Sequence, residues 1–350
     1  MKKVLYVSNI EVPYRVRLFN ELAKHCELTV LYETEKTDIR NNEWSKSEIS
    51  FYKKKYIGGK RIKAENSFSL KAVKEVFCDY DVIVIGCFNS PVQLLMMLTM
   101  RLLRKPYILN LDGEIFADGK DLKSALKRFF LKGAEKYLVA GNEAIASLKK
   151  IIHNKEMIPY YFSSLSDAEL SENAHSKKEN DGFVLVVGQY LDVKGMDVAL
   201  ECAKLNPDIR YKLVGMGSRT ELFKEKYCTS NVKNVEIVPF LKKEELAEEY
   251  KKCSLFVLPS RQECWGLVIN EAASYGIPIV STYGSGAAVE FLAKDYPQYL
   301  AIPGDAHSLL CCIESALKGD REEYSRYLIE KSKQYSIEKG VKAHIEAFGL

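Results

Sequence analysis

Two glutamates eight positions apart, Glu263 and Glu271, follow the apolar run SLFVLPS and bracket Gly266 in the segment PSRQECWGLVINEAASYG. An ionised carboxylate only accepts hydrogen bonds and can take two at once, so a glutamate one turn into a helix suits a vicinal diol such as a ribose. At the start of that helix the backbone N–H groups of Cys264, Trp265, Gly266 and Leu267 would point at an anion held in the turn. A cation comes from VVGQYLDVKG, where Gly188 allows a tight turn, Gln189 follows it, and Lys194 precedes Gly195 at a helix start. That placing suits a phosphate, because free N–H groups and the positive end of the helix dipole already favour an anion there; the alternative is a plain turn with a solvated lysine. The later VGMGS, with Gly215 and Gly217, lacks the third glycine and the acidic residue of a dinucleotide fingerprint, so it reads as a loop lining a cleft and not as an NAD site. Phe240, closing NVEIVPF, completes this donor-side set. With no D-x-D at a strand end and no His/carboxylate cluster, neither a metal nor any other cofactor is expected.

These groups need strand ends and helix starts to hold them. Short β-branched runs alternate with helical patterns throughout: KVLYVSN, ELTVLY, DVIVIG, KPYILNLD and KYLVAG in front, GFVLVVGQ, IRYKLVG, NVEIVPF, SLFVLPS and IPIVST behind. Continuous apolar runs such as Val82 to Ile85 suit parallel sheets covered on both faces, so the chain reads as α/β with two Rossmann-like doubly wound domains facing a central cleft. The expected boundaries are 1–165 and 183–333, with the polar stretch 166–182 as linker and hinge and a helix at about 334–350 that returns to the first domain. Helices are expected at Met196 to Leu205, Thr220 to Tyr227, Lys243 to Tyr250 and about Gly266 to Tyr275.

Composition narrows the classes. The 350 residues, 47% hydrophobic and 28% charged, exclude a disordered chain and suit about two domains. The longest apolar stretch, Val92 to Leu103, is too short to cross a bilayer, and the opening Met1-Lys2-Lys3 leads into no signal-like region, so a cytoplasmic protein is expected. Nine cysteines without a C-x-x-C pair are expected to be reduced and mostly buried. Up to Leu165 there are 28 Lys and Arg against 19 Asp and Glu, and beyond it 23 against 28, so the front half carries the positive excess. Part of that excess lies in Lys120 to Lys132, where Leu122, Leu126, Phe129 and Phe130 recur at helical spacing; such a face suits an anionic membrane surface, and equally a solvated helix with its apolar stripe on the core. No nucleic-acid-reading motif accompanies the charge.

At this point the sequence resembles a known family. The Glu263-x7-Glu271 spacing, within PSxxExxGLxxxEAxxxGxPxV followed by GSG and preceded by VVGxxxxxKG, is similar to that of retaining glycosyltransferases of the GT-B fold, family 4. SNIEVPYRVRLFNEL and PYYFSSLSDAEL resemble segments of members that build bacterial surface polysaccharides, so the likeness covers most of the chain. The resemblance implies a UDP-sugar donor, with Glu271 on the ribose, Glu263 at the donor sugar and Lys194 on the diphosphate. It implies a hydroxyl acceptor on a glycan or lipid-linked carrier for capsule, exopolysaccharide or lipopolysaccharide synthesis. Two positions depart from the family pattern: Gln189 stands where an arginine is usual, bringing no charge to the phosphate, and Asp112 stands where many relatives have histidine. Arg15 or Arg17 is expected to compensate for the first. Asp112 is expected to orient a hydroxyl near the reacting carbon, with Asn9, Glu11, Tyr14 and Arg15 also on the acceptor side. Rival readings keep the fold but make the protein a nucleotide-sugar epimerase, a phosphorylase, or a catalytically silent partner subunit.

Overall fold

The computed structural model describes the chain except residues 35–48, 59, 64–65, 87–89, 114–121, 178, 180 and 216–218. It divides into unit 1, Met1–Phe162 with Ile337–Leu350, and unit 2, Ser163–Ser336.

Unit 1 runs β1 (Lys3–Ile10), α1 (Pro13–Leu22), β2 (Glu27–Thr34), β3 (Lys53–Tyr56), β4 (Lys60–Lys63), β5 (Asn66–Phe68), β6 (Val82–Ile85), α2 (Pro91–Leu102), β7 (Ile108–Leu111), α3 (Leu122–Leu131), β8 (Lys136–Ala140), α4 (Asn142–Lys149) and β9 (Glu156–Tyr160). Its parallel sheet has the order β3-β2-β1-β6-β7-β8-β9. The strands are apolar runs because both faces are covered: Val4 to Val7 and Val84, Ile85 and Leu109 are fully buried. Helix α2 starts at Pro91, where a missing N–H costs nothing, and seals one face with Val92, Met96, Met97 and Met100. Strand β3, KKKY, was not anticipated, since three lysines hide a strand; an edge position explains them, as charged edges resist further pairing.

Unit 2 runs α5 (Asp167–His175), β10 (Phe183–Gly188), α6 (Met196–Leu205), β11 (Arg210–Gly215), α7 (Thr220–Tyr227), β12 (Val235–Val238), α8 (Lys243–Lys252), β13 (Leu255–Leu258), α9 (Leu267–Ser274), β14 (Ile279–Thr282), α10 (Gly286–Leu292), β15 (Leu300–Ala301), α11 (Ala306–Lys318) and α12 (Arg321–Ser332). The parallel order β12-β11-β10-β13-β14-β15 is that of a Rossmann sheet, with the direction of winding reversing between β10 and β13. Each unit is thus a doubly wound α/β layer structure, and a last helix, α13 (Ile337–Phe348), belongs to unit 1, packing on α1, β8 and β9.

Two expectations change. The segment 166–182 is not a bare linker: Ser166 and Glu169 form a reciprocal capping box, α5 packs on α9, and Leu170 is buried, so the segment joins unit 2. Its polar composition masked a capped helix with one core contact. The cysteines also divide: Cys26, Cys202 and Cys253 are buried, whereas Cys78, Cys228, Cys264 and Cys311 are exposed; Cys87 lies outside the described residues. Among the described residues no helix is long and apolar enough to cross a membrane.

Candidate active site

In a doubly wound sheet, ligands bind beyond the carboxyl ends of the strands where the winding reverses, which in unit 2 means the ends of β10 and β13. Both sequence motifs fall there. Beyond β10, Gln189 leads to a 3₁₀ turn, Asp192–Lys194, and Gly195 then opens α6 at φ +66°. A Cβ on Gly195 would lie 1.9 Å from the Pro259 carbonyl oxygen, so only glycine lets the lysine turn lie against the end of β13. Gly188 ends β10 without a positive φ; the conformational demand expected of it falls on Gly195 instead. Gly215 packs beneath the Tyr190 ring, Phe240 is half-buried after β12, and Gly217 lies outside the described residues.

Glu263 stands between two loops. Its N–H donates to Gly284 O at 2.8 Å, Gly286 N–H donates to its carbonyl at 3.3 Å, and it bridges Ser285 as a one-residue strand contact. From there its carboxylate meets the Lys194 ammonium in a direct ion pair, with both side chains about a fifth exposed, 21% for the lysine and 19% for the glutamate. Gly266, at φ +102°, turns the chain into α9. The indole of Trp265 is buried, donating to Asn270 Oδ1 at 2.9 Å and packing on Tyr335, while its carbonyl accepts from Ser285 Oγ and from the Ala287 N–H, both at 2.9 Å. Cys264 is exposed, and Leu267 begins the helix half-buried.

Glu271 lies one turn further on. Its Oε1 accepts from Ser164 Oγ at 2.9 Å and its Oε2 from Tyr250 Oη at 3.2 Å. Burial pushes this carboxyl above the usual range, an effect the two hydroxyls oppose. Each oxygen keeps a second acceptor position beside its bound hydroxyl, which is what a diol needs. Tyr250 is buried and stacks on Tyr275 at 5.5 Å. Neither Ser164 nor Tyr250 was legible as a site residue, since they lie 107 and 21 positions from their partner.

In unit 1, Asp112 follows β7 and its carboxylate is held by two residues through three hydrogen bonds. Arg15 Nη2 donates to Oδ1 and Oδ2 at 2.7 and 2.5 Å, and Asn110 Nδ2 donates to Oδ1 at 2.7 Å. Arg15 is 5% exposed; its other nitrogen, Nη1, donates to Tyr160 Oη at 3.1 Å and Tyr6 Oη at 3.3 Å, and Phe162 lies across the guanidinium at 5.1 Å. This corrects the expectation that Arg15 serves a phosphate: a guanidinium so buried and so fully engaged with Asp112 and two tyrosines has no fork to offer. Glu11 is likewise engaged, taking Lys54 Nζ at 2.7 Å and Tyr56 Oη at 3.2 Å. Asn9 Oδ1 accepts from the Ile10 N–H at 3.0 Å, and Tyr14 meets Phe162 edge to face at 5.5 Å.

Two parallel, doubly wound units of this kind define a GT-B protein. Over its whole length the chain resembles solved structures of that fold: Anabaena HepE in complex with UDP and glucose (TM-score 0.67, 15% identity, all of both chains) and a sucrose-phosphate synthase from Thermosynechococcus elongatus (TM-score 0.65, 16% identity, 99% of this chain and 96% of that one). Residues 167–349, just over half the chain, match the model of the glycosyl transferases group 1, and the chain belongs to that family. An uncharacterized glycosyltransferase of Methanocaldococcus jannaschii is 26% identical over 234 residues, 66% of this chain; the match spans 63% of that relative, less than two thirds of its length.

Proposed function

We propose that the protein is a retaining glycosyltransferase that moves a sugar from a UDP-sugar to a hydroxyl of a glycan or lipid-linked acceptor in bacterial surface-polysaccharide synthesis. The observation that carries this reading is the Lys194–Glu263 pair at the ends of β10 and β13, with Glu271 one helical turn beyond it. Lys194 and the start of α6 would meet the donor diphosphate, Glu263 the sugar, and Glu271 the ribose hydroxyls. In the step itself the bond from the anomeric carbon to the diphosphate oxygen breaks as the acceptor oxygen bonds to that carbon on the same face. The acceptor proton passes to the departing diphosphate. Fixed positive charge at the leaving group is the kind of preorganised electrostatics that contributes most to such reactions. No metal is called for in this route.

Incubation with UDP-glucose and UDP-N-acetylglucosamine should release UDP, with retained configuration in the product by NMR and activity lost in Lys194→Ala. A donor sugar altered without UDP release would instead mark an epimerase, and no turnover of any nucleotide-sugar would sink the proposal. A peripheral membrane contact fits unit 1, where Leu102, Leu103, Leu126 and Phe129 are exposed and Arg101 lies 4.0 Å over the Phe129 ring. Flotation with anionic vesicles tests it; a protein left wholly in the soluble fraction excludes it.

A further inference from the structure

We infer that Arg261 is a positioning residue that sets where Lys194 stands, by bolting the lysine turn at both of its ends. This rests on the reading that Lys194 holds the donor diphosphate. Arg261 lies two residues before Glu263. Its Nη1 donates to the Asp192 carbonyl at 2.7 Å, on the near side of Lys194, and its guanidinium grips Asp197 on the far side, Nη1 to Oδ1 and Nη2 to Oδ2, both at 2.7 Å. Between these anchors the backbone N–H groups of Arg261 and Gln262 donate to Val193 O at 2.8 and 3.1 Å. The 3₁₀ turn is therefore tied to the Glu263 loop by Arg261 and Gln262 together with the Lys194–Glu263 pair itself. Asp197 occupies the first turn of α6, where a carboxylate is favoured by the helix dipole; burial raises its carboxyl, the bonds from Arg261 lower it, and the net direction is down.

Only a planar fork can serve this purpose. A guanidinium holds a carboxylate with two parallel bonds and still reaches a carbonyl, whereas an ammonium at the same place is a point charge with no fixed geometry. With the fork gone, the turn keeps its two backbone bonds to Val193 O but loses its outer anchors, and the ammonium of Lys194 samples positions away from the phosphate.

The test is calorimetric binding of UDP and of uridine, which lacks the diphosphate, to wild type, Arg261→Lys and Asp197→Asn, each also built on Lys194→Ala, with UDP release from UDP-glucose followed in parallel. Arg261→Lys and Asp197→Asn should each weaken UDP binding about fivefold, an ordinary size for coupling between groups in contact. Uridine affinity should be unchanged, and neither substitution should have any further effect in the Lys194→Ala background. Equal losses for uridine and UDP, or losses that persist undiminished without Lys194, would overturn the inference and leave Arg261 as a general strut. Asp197→Asn keeps the test open should Arg261→Lys fold poorly, since it removes the same grip from the other side. Wild-type protein that neither binds UDP nor releases it would overturn the functional reading itself, an outcome separate from any result with the variants.

Discussion

Replacing Glu263 by glutamine should make the protein bind UDP more tightly while abolishing turnover. Without donor, Lys194 is neutralised by Glu263, so an arriving diphosphate must compete with a carboxylate already in place. At about 4 Å and an effective dielectric near 20, two unit charges attract by about 4 kcal/mol before desolvation and side-chain ordering are subtracted. With each side chain about a fifth exposed, the net pair should be worth about 1 kcal/mol, near the upper end for exposed pairs. Removing the competitor at constant shape should therefore return about 1 kcal/mol to the ligand, or about a fivefold fall in Kd. The assay is titration calorimetry of UDP at fixed ionic strength with wild type, Glu263→Gln, Lys194→Ala and the double variant. Lys194→Ala should weaken binding, and Glu263→Gln should change nothing further in that background. A Glu263→Gln protein that melts normally but binds UDP no better than wild type would refute the claim that the pair must open for the diphosphate.

Three further outcomes follow from the same geometry. If Glu271 holds the ribose as proposed, uridine affinity should be full at neutral pH and decline on acidification, because only the ionised carboxylate would accept from both hydroxyls; burial raises this carboxyl, so the decline should begin above the range of an ordinary glutamate and be absent in Glu271→Gln. His344 is fully buried, with Nδ1 2.7 Å from Gly340 O and no partner at Nε2, among Tyr6, Tyr160, Phe348 and the Arg15 charge; burial holds its pKa down at about 3. Its neutral form is thus worth most above about pH 6.5, and stability is lost as pH falls from there toward 3, by about 2 kcal/mol at pH 5; unit 1 amide exchange against pH should show this slope, and His344→Phe should flatten it. Gly195→Ala should abolish measurable UDP binding, because a Cβ 1.9 Å from the Pro259 carbonyl forces the lysine turn off β13; a variant with wild-type affinity would show that the turn need not lie there.

What could be read in advance was whatever repeats along the chain. Helices α6 and α7 fall where the apolar period placed them, because their buried faces recur every three or four residues. The spacing of Glu263 and Glu271 was readable for the same reason, both being set by one loop and one helix. The linker expectation missed Ser166 and Glu169, although S-x-x-E is a local signal that was present. Other features carried no such signal. The hold of Ser164 and Tyr250 on Glu271, the burial of Arg15 under Asp112, and the Arg261–Asp197 fork join residues 21 to 107 positions apart through tertiary packing. A charged residue in an amphipathic helix reads as solvent-facing unless its distant partners are known, which is why Arg15 was assigned to a ligand when the fold had already claimed it.

Unit 2 is one uninterrupted segment, whereas unit 1 is finished by α13, whose residues come after all of unit 2 in the chain. On a ribosome, the segment that supplies Lys194, Glu263 and Glu271 can mature first, while the sheet bearing Asp112 waits for its closing wall. A chain truncated after Ser336 would therefore keep all of unit 2 but leave unit 1 unroofed, with Tyr6 and Tyr160 bared where His344 should rest. Premature stops within Ile337–Leu350 should therefore act as lesions of unit 1, the half that was translated first.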